Sequence, residues 1–171
     1  MPDNVYPLAY LITFTCYGTR LHGSEFGSVD RGRSVPPNEG LEQFERRLMT
    51  QPAYCLDDKR ATIAITAMRE TAKFRNWLML AAHVGSTHVH LVIKAGDDPE
   101  RVMGDMKSYA SRALNRAGCE DSNRKRWTRR GSAEYLWDAG DVARAIEYVM
   151  NQPGKALASY KNTDAKYADI R

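Results

Sequence analysis

Two strand-like runs, residues 77–84 and 87–93, stand on either side of Gly85 and Ser86, and this pair constrains the fold more than any other stretch of the chain. Apolar or alternating runs separated by two turn-forming residues have the spacing of a tight hairpin. The middle of the chain therefore predicts two adjacent antiparallel strands, central in a sheet.

The flanking sequence supplies further strands and helices. Residues 8–17, LAYLITFTCY, are rich in β-branched and aromatic side chains and read as a first strand, with Gly18 opening the next turn. Residues 18–40 carry repeated turn formers and no sustained period, and predict a long loop. A short helix is expected at 41–49. A longer one is expected at 57–74, where Ile63, Ile65, Ala67, Met68 and Ala72 approximate one apolar face behind Asp57 and Asp58. Pro99 opens another helix with Val102, Met106, Ala110, Ala113 and Leu114 at core spacing and Gly118 as its stop. A basic connector, a short strand at 134–137 and a helix at 141–152 ending before Pro153 follow. The polar tail, residues 155–171, is expected to be peripheral.

This order predicts one α+β domain over residues 1–171, a ferredoxin-like plait whose antiparallel sheet carries its helices on one face. An apolar content of 43% with 27% charged residues suits a single core in 171 residues. No run approaches 18 apolar residues, and the first residues lack a basic segment and a small-residue cleavage site, so the expectation is a cytoplasmic protein without a membrane partner. Cys16, Cys55 and Cys119 are odd in number and far apart, which suggests reduced thiols rather than a disulfide framework or a thiolate metal site.

The chemistry begins in Thr87-His88-Val89-His90-Leu91-Val92-Ile93. Strand periodicity puts His88 and His90 on one face and Val89, Leu91 and Ile93 on the other. Two neutral imidazoles converging from one strand can share a divalent ion, with a third ligand from elsewhere; an isolated pair can equally well sit on a half-buried sheet face. His83, five residues from His88 across the expected turn, is read as outside the ligand set.

In the helix at 141–152, Val142, Ala145, Ile146 and Val149 form a core stripe. Arg144, Tyr148 and Gln152 form a second one at i, i+4 and i+8 that packing does not require. Tyr148 can offer a phenolic nucleophile, and Gln152 an amide carbonyl to the ion held by His88 and His90. Alone, the two also fit an amphipathic helix and its polar end.

THVHLVI, followed by Tyr148 within EYVMNQP, resembles the single-tyrosine HUH transposases, especially the REP-associated tyrosine transposases. The resemblance extends to the opening YLITFTCYG and to MKSYASRALN, and covers residues 10–153. It implies a single-stranded DNA endonuclease or strand transferase acting on hairpin DNA through a 5′-phosphotyrosyl intermediate. Tyr148 would be the nucleophile, and His88, His90 and Gln152 the ligands of Mg2+ or Mn2+. Thr87 stands where the family often has Asn, and Gln152 where many members have another amide, Asn, before Pro. One tyrosine forms one covalent link at a time, so an exchange needs a second DNA end or subunit, in a monomer or homodimer.

For DNA contact, Arg124, Lys125, Arg126, Arg129 and Arg130 surround Trp127, a composition suited to phosphate neutralisation and stacking on an unpaired base. A solvated loop with Trp127 folded onto the core has the same composition. Lys107, Ser108, Tyr109, Arg112 and Arg116 extend the candidate surface, and His22 in the early loop offers either a DNA contact or a turn. The formal charge of +4 and a pI near 9.0 agree with a polyanionic partner. A free phenol titrates near pH 10, so Tyr148 would need help to lose its proton, and no general base is identifiable. A catalytically silent hairpin-DNA-binding regulator on the same fold is the alternative. A small metal-binding protein is a third reading, which leaves Tyr148 and the basic tract without a role.

Overall fold

The computed structural model describes residues 6–30 and 33–164. Five strands form one antiparallel sheet in the order β6-β1-β5-β4-β7. They are β1 (Ala9–Cys16), β4 (Leu78–Val84), β5 (His88–Lys94), β6 (Trp127–Leu136) and β7 (Ala158–Lys161), while β2 (Ser28–Asp30) and β3 (Arg33–Val35) make a separate hairpin. The helices are α1 (Glu39–Leu48), α2 (Asp58–Phe74), α3 (Pro99–Arg116) and α4 (Ala139–Met150).

The first four sheet strands realise the ferredoxin-like plait. Helix α2 connects β1 to β4, with β5 inserted between them, and α3 connects β5 to β6, with β1 inserted between them. The helices begin where short polar side chains satisfy free backbone N–H groups: Asp57 Oδ1 accepts from Arg60 N at 2.8 Å, Asp98 caps α3 just before Pro99, and Asp138 Oδ1 accepts from Asp141 N at 2.8 Å. Gly118 stops the α3 segment with φ +67°, a conformation glycine adopts without steric cost.

Alternation along the strands sorts the core into two layers. Tyr10, Ile12 and Phe14 of β1 and Val89, Leu91 and Ile93 of β5 face α2 and α3, where Ala64, Met68, Met106 and Ala110 meet them. On the reverse face, Ala9, Leu80, Val92 and Leu136 are covered by Val142, Ala145, Ile146 and Val149 of α4. A fully buried Phe14, Leu91 or Met106 contributes about 1.5–3 kcal/mol of hydrophobic stabilisation. Gly131 lets β6 close on β1, because a Cβ there would lie 2.4 Å from the Thr13 carbonyl oxygen.

Four expectations are corrected. The helices do not all lie on one face: α2 and α3 share one, and α4 covers the other. Strands β6 and β7 occupy opposite edges of the sheet and run parallel to each other, so the connection between them must cross the sheet, and it crosses on the face that α2 and α3 leave open. Part of the tail expected to be peripheral forms β7, paired with β4 from Ala81↔Lys161 to Val84↔Ala158; its remainder, residues 165–171, lies outside the described residues. The basic connector is itself strand, because β6 starts at Trp127, and the 18–40 loop contains the β2–β3 hairpin and the start of α1. The three cysteines are free, and among the described residues no helix is long and apolar enough to cross a membrane.

Candidate functional site

The hairpin closes one residue later than its sequence suggests. Gly85 N–H donates to the His88 carbonyl at 2.9 Å, leaving Ser86 and Thr87 as the turn. In this register His83 lies opposite His90, and Thr13 of β1 lies opposite His90 on its other side. Three side chains therefore form a row across three strands on the α4 face. The His88 and His90 rings are 4.9 Å apart between centroids, and His83 stacks on His88 at 5.5 Å with 10° between planes. Gly85 makes room for that stack, since a Cβ there would lie 2.9 Å from His88 Cε1.

The imidazoles are held neutral. Burial pushes the His90 pKa down to about 4, helped by the neighbouring His88, His83 and Arg20 charges. Burial also lowers His88, with Arg20 adding to the effect, and lowers His83, with His88 adding. His90 Nδ1 lies 2.8 Å from Thr13 Oγ1, which fixes the ring and leaves Nε2 as its second donor atom.

Helix α4 carries Tyr148 to this row. Packing of its Val142, Ala145, Ile146 and Val149 stripe sets its rotation, so the neighbouring stripe of Arg144 and Tyr148 flanks the sheet. The Tyr148 ring meets His90 edge-on, with centroids 5.7 Å apart and 80° between planes, and its side chain is half exposed. A phenol beside two neutral imidazoles offers a nucleophile next to nitrogen donors able to bind a metal ion.

Gln152 is placed differently. It lies beyond the last residue of α4, and its Nε2 donates to the Tyr148 carbonyl at 2.9 Å, turning the amide back on its own helix. Among the described residues no group of three or more His, Cys, Asp or Glu is arranged to hold a metal ion. Two neutral imidazoles and an amide carbonyl are donor types that suit a divalent ion in kind. The His88 and His90 rings lie 4.9 Å apart between centroids, and the Gln152 amide is engaged with the Tyr148 carbonyl through its Nε2.

Beside Tyr148, a groove of about 440 Å3 opens between α4, β1 and β6. Thr13 is part of its floor, Ser132 and Glu134 of β6 form one wall, and Arg144 and Tyr148 form the other. The groove is thus continuous with the histidine row through both Thr13 and Tyr148.

The basic tract divides into residues committed to the fold and residues free to contact a ligand. Arg126 is buried at 2% exposure and donates to Glu120 Oε2 at 3.1 Å and Asn115 Oδ1 at 2.8 Å, so it is a core ion pair rather than a DNA contact. Trp127 is half-buried edge-on to Phe14, and its indole N–H reaches Ser111 Oγ at 2.9 Å, which removes it as a stacking platform. Lys107 Nζ donates to the carbonyls of Thr128 and Arg130 at 2.9 and 3.2 Å, clamping α3 to β6, and burial pushes its pKa down to about 8. Arg124 donates to the Pro52 and Ala53 carbonyls at 2.8 and 3.0 Å and ties two loops together. Lys125 is exposed but bonded to Thr50 Oγ1 at 2.8 Å. Arg112, Arg129 and Arg130 remain exposed; Arg112 lies over the Tyr109 ring, and Arg130 is 3.9 Å from Asp30. His22 Nδ1 lies 2.7 Å from Ser28 Oγ, the turn role of its two options.

His83 joins the row although its odd spacing from His88 reads, in the sequence, as placing it outside the ligand set. Residues paired across a two-residue turn always differ by an odd number, so that spacing was the signal that His83 shares their face. Thr13 and the groove residues carried no comparable local signal, since only the pairing of β1 with β5 and β6 assembles them.

No protein-family model matches the chain, and no match was found among curated proteins. Among solved structures, it is similar to a REP-associated tyrosine transposase bound to a REP hairpin, with a TM-score of 0.49 and 12% identity. That similarity covers 82% of this chain and 63% of the other, so the chain spans under two thirds of that protein. It is also similar to a candidate transposase from Deinococcus radiodurans, with a TM-score of 0.48 and 15% identity, over 91% of this chain and 98% of that one. At such identities these are similarities of backbone arrangement.

Proposed function

We propose that the protein is a metal-dependent nuclease or strand transferase of the HUH type, which cuts single-stranded or hairpin DNA through Tyr148. The observation that carries this reading is the edge-on approach of the Tyr148 ring to His90, 5.7 Å between centroids, beside His88. Residues from a strand and from the last long helix, distant in sequence, meet at one point on the sheet.

In this reading Tyr148 Oη forms a bond to phosphorus as the P–O3′ bond breaks. The phenol proton leaves to solvent, and the departing 3′ oxygen takes up a proton from water. The product is a 5′-phosphotyrosyl link and a free 3′-hydroxyl, and reversal with a second 3′-hydroxyl rejoins DNA. His88, His90 and the Gln152 carbonyl would hold Mg2+ or Mn2+. Such an ion, when bound, draws charge from a nonbridging phosphate oxygen and from the leaving oxygen. Thr13 keeps the His90 ring oriented, and burial keeps it unprotonated and able to donate an electron pair. Exposed Arg112, Arg129 and Arg130, with Lys125, would offer cations to the DNA backbone.

The test is incubation of the purified chain with single-stranded hairpin oligonucleotides and Mg2+ or Mn2+, followed by a denaturing gel. A covalent protein–DNA adduct is expected from the wild type and none from Tyr148→Phe. One observation favours a silent DNA-binding regulator instead: Gln152 donates its amide N–H to the Tyr148 carbonyl of its own helix. Salt-sensitive hairpin binding with no adduct under either metal would select that reading; absence of DNA binding would end both.

A further inference from the structure

Cleavage chemistry uses the edge of the groove at Tyr148 and leaves the rest of its roughly 440 Å3 without a role. We propose that this groove receives one unpaired nucleobase next to the attacked phosphate, and that Glu134 favours a base carrying an exocyclic amine. The inference rests on the DNA-cleaving reading of Tyr148 and adds a specificity residue to it.

Position is the first support. Thr13 on the groove floor contacts His90, and Tyr148 forms part of the wall, so an occupant of the groove lies within one nucleotide of the nucleophile. The volume lies in the range of small-molecule sites, about 300–1,000 Å3.

Charge then selects which part of a nucleotide enters. Asp141 is occupied: it accepts from the Trp137 N–H at 3.1 Å and pairs with Arg144. Glu134 is exposed on β6, and its side chain makes no hydrogen bond or ion pair among the described residues. A free carboxylate on the groove wall repels phosphate and accepts hydrogen bonds, so the matching group is a base edge that donates N–H. Adenine, cytosine and guanine each present an exocyclic amine; thymine has carbonyl oxygens in its place and a single ring N–H between them.

Arg144 supplies the complementary surface. Its side chain is 71% exposed, anchored by Asp141, and one guanidinium nitrogen lies 3.2 Å from where a Gly140 Cβ would stand. Gly140 thus allows the flat guanidinium to lie along the start of α4, where a base can stack on it. Stacking on Arg144 and donation to Glu134 together describe a site for a base turned out of a stack.

The experiment titrates the full chain with the four deoxynucleoside 5′-monophosphates and follows backbone amide shifts by NMR. Expected are shifts at Ser132, Glu134, Arg144 and Ala145, with dTMP binding roughly fivefold or more weakly than dAMP, dCMP and dGMP, as loss of one specific base contact implies. Glu134→Gln should bring dTMP level with the others, because a glutamine amide donates as well as accepts. Shifts confined to other surfaces, equal affinity for all four in the wild type, or a preference that survives Glu134→Gln would overturn the proposal. The titration requires neither metal nor cleavage. A chain that forms the Tyr148 adduct but has an unselective groove loses only the base site, and a selective groove without any adduct loses only the nuclease reading.

Discussion

Arg126→Met separates the structural from the ligand-facing part of the basic tract. The native guanidinium is 2% exposed and reaches Glu120 Oε2 through two nitrogens, at 3.1 and 3.3 Å, and Asn115 Oδ1 at 2.8 Å. Methionine keeps most of the buried stem, so the change removes charge and donors with little loss of volume. Breaking a buried ion pair from one side costs about 3–5 kcal/mol, because the partner charge is stranded. Here the cost is smaller, since the Glu120 side chain is 18% exposed and keeps its pair with Arg60. A loss of about 2–4 kcal/mol follows, a large share of the roughly 5–15 kcal/mol that holds a domain together. Arg129→Met is the contrast: exposed and free of such partners among the described residues, it should change stability by no more than about 0.5 kcal/mol. It should instead lower the salt dependence of single-stranded DNA binding by about 0.7 in log–log slope for the one phosphate lost. Urea denaturation and DNA titrations at several salt concentrations measure both. The reasoning is refuted if Arg126→Met costs less than about 1 kcal/mol while weakening DNA binding as much as Arg129→Met.

Thr13→Val removes the hydroxyl 2.8 Å from His90 Nδ1 while keeping the side-chain shape. Calorimetric Mn2+ affinity should fall roughly 10- to 100-fold, the usual effect of losing a partner that orients a ligand; unchanged affinity would mean that Thr13 does not set the ring. For pH, burial acts to raise the Glu120 pKa, but hydrogen bonds from Arg60, Arg126 and Tyr54 outweigh it and hold the group below its ordinary value of 4.5. The unfolded chain therefore binds this proton more readily than the folded one. The stabilisation is fully present above pH 4.5 and is lost as pH falls through the depressed folded value. Glu120→Gln should flatten the acid limb of stability against pH below 4.5, and denaturation midpoints between pH 3 and 7 would reveal a limb that stays as steep as in the wild type.

The reach of local pattern is clearest at the site itself. A two-residue period places His88 and His90 on one side of their strand, and a 3.6-residue period separates Tyr148 from the packing stripe of its helix. These relations are carried within a single element, so the sequence alone determined them, together with the helix start at Asp57, the helix opening at Pro99 and the order of elements that makes the plait, whereas the last helix, expected from Asp141, begins at Ala139 behind Asp138. Which face of the sheet receives α4 is a different kind of fact. It depends on β6 and β7 lying at opposite edges while α2 and α3 cover one face, a nonlocal arrangement that no window of sequence contains. The basic tract shows the same division. Its composition is equally that of a DNA-binding loop and of a strand anchored by Arg126, Trp127 and Lys107, and only Glu120, Ser111 and the β6 carbonyls, brought close by folding, decide between them. Periodicity specifies the direction of a side chain relative to its own backbone; tertiary packing decides what stands in that direction.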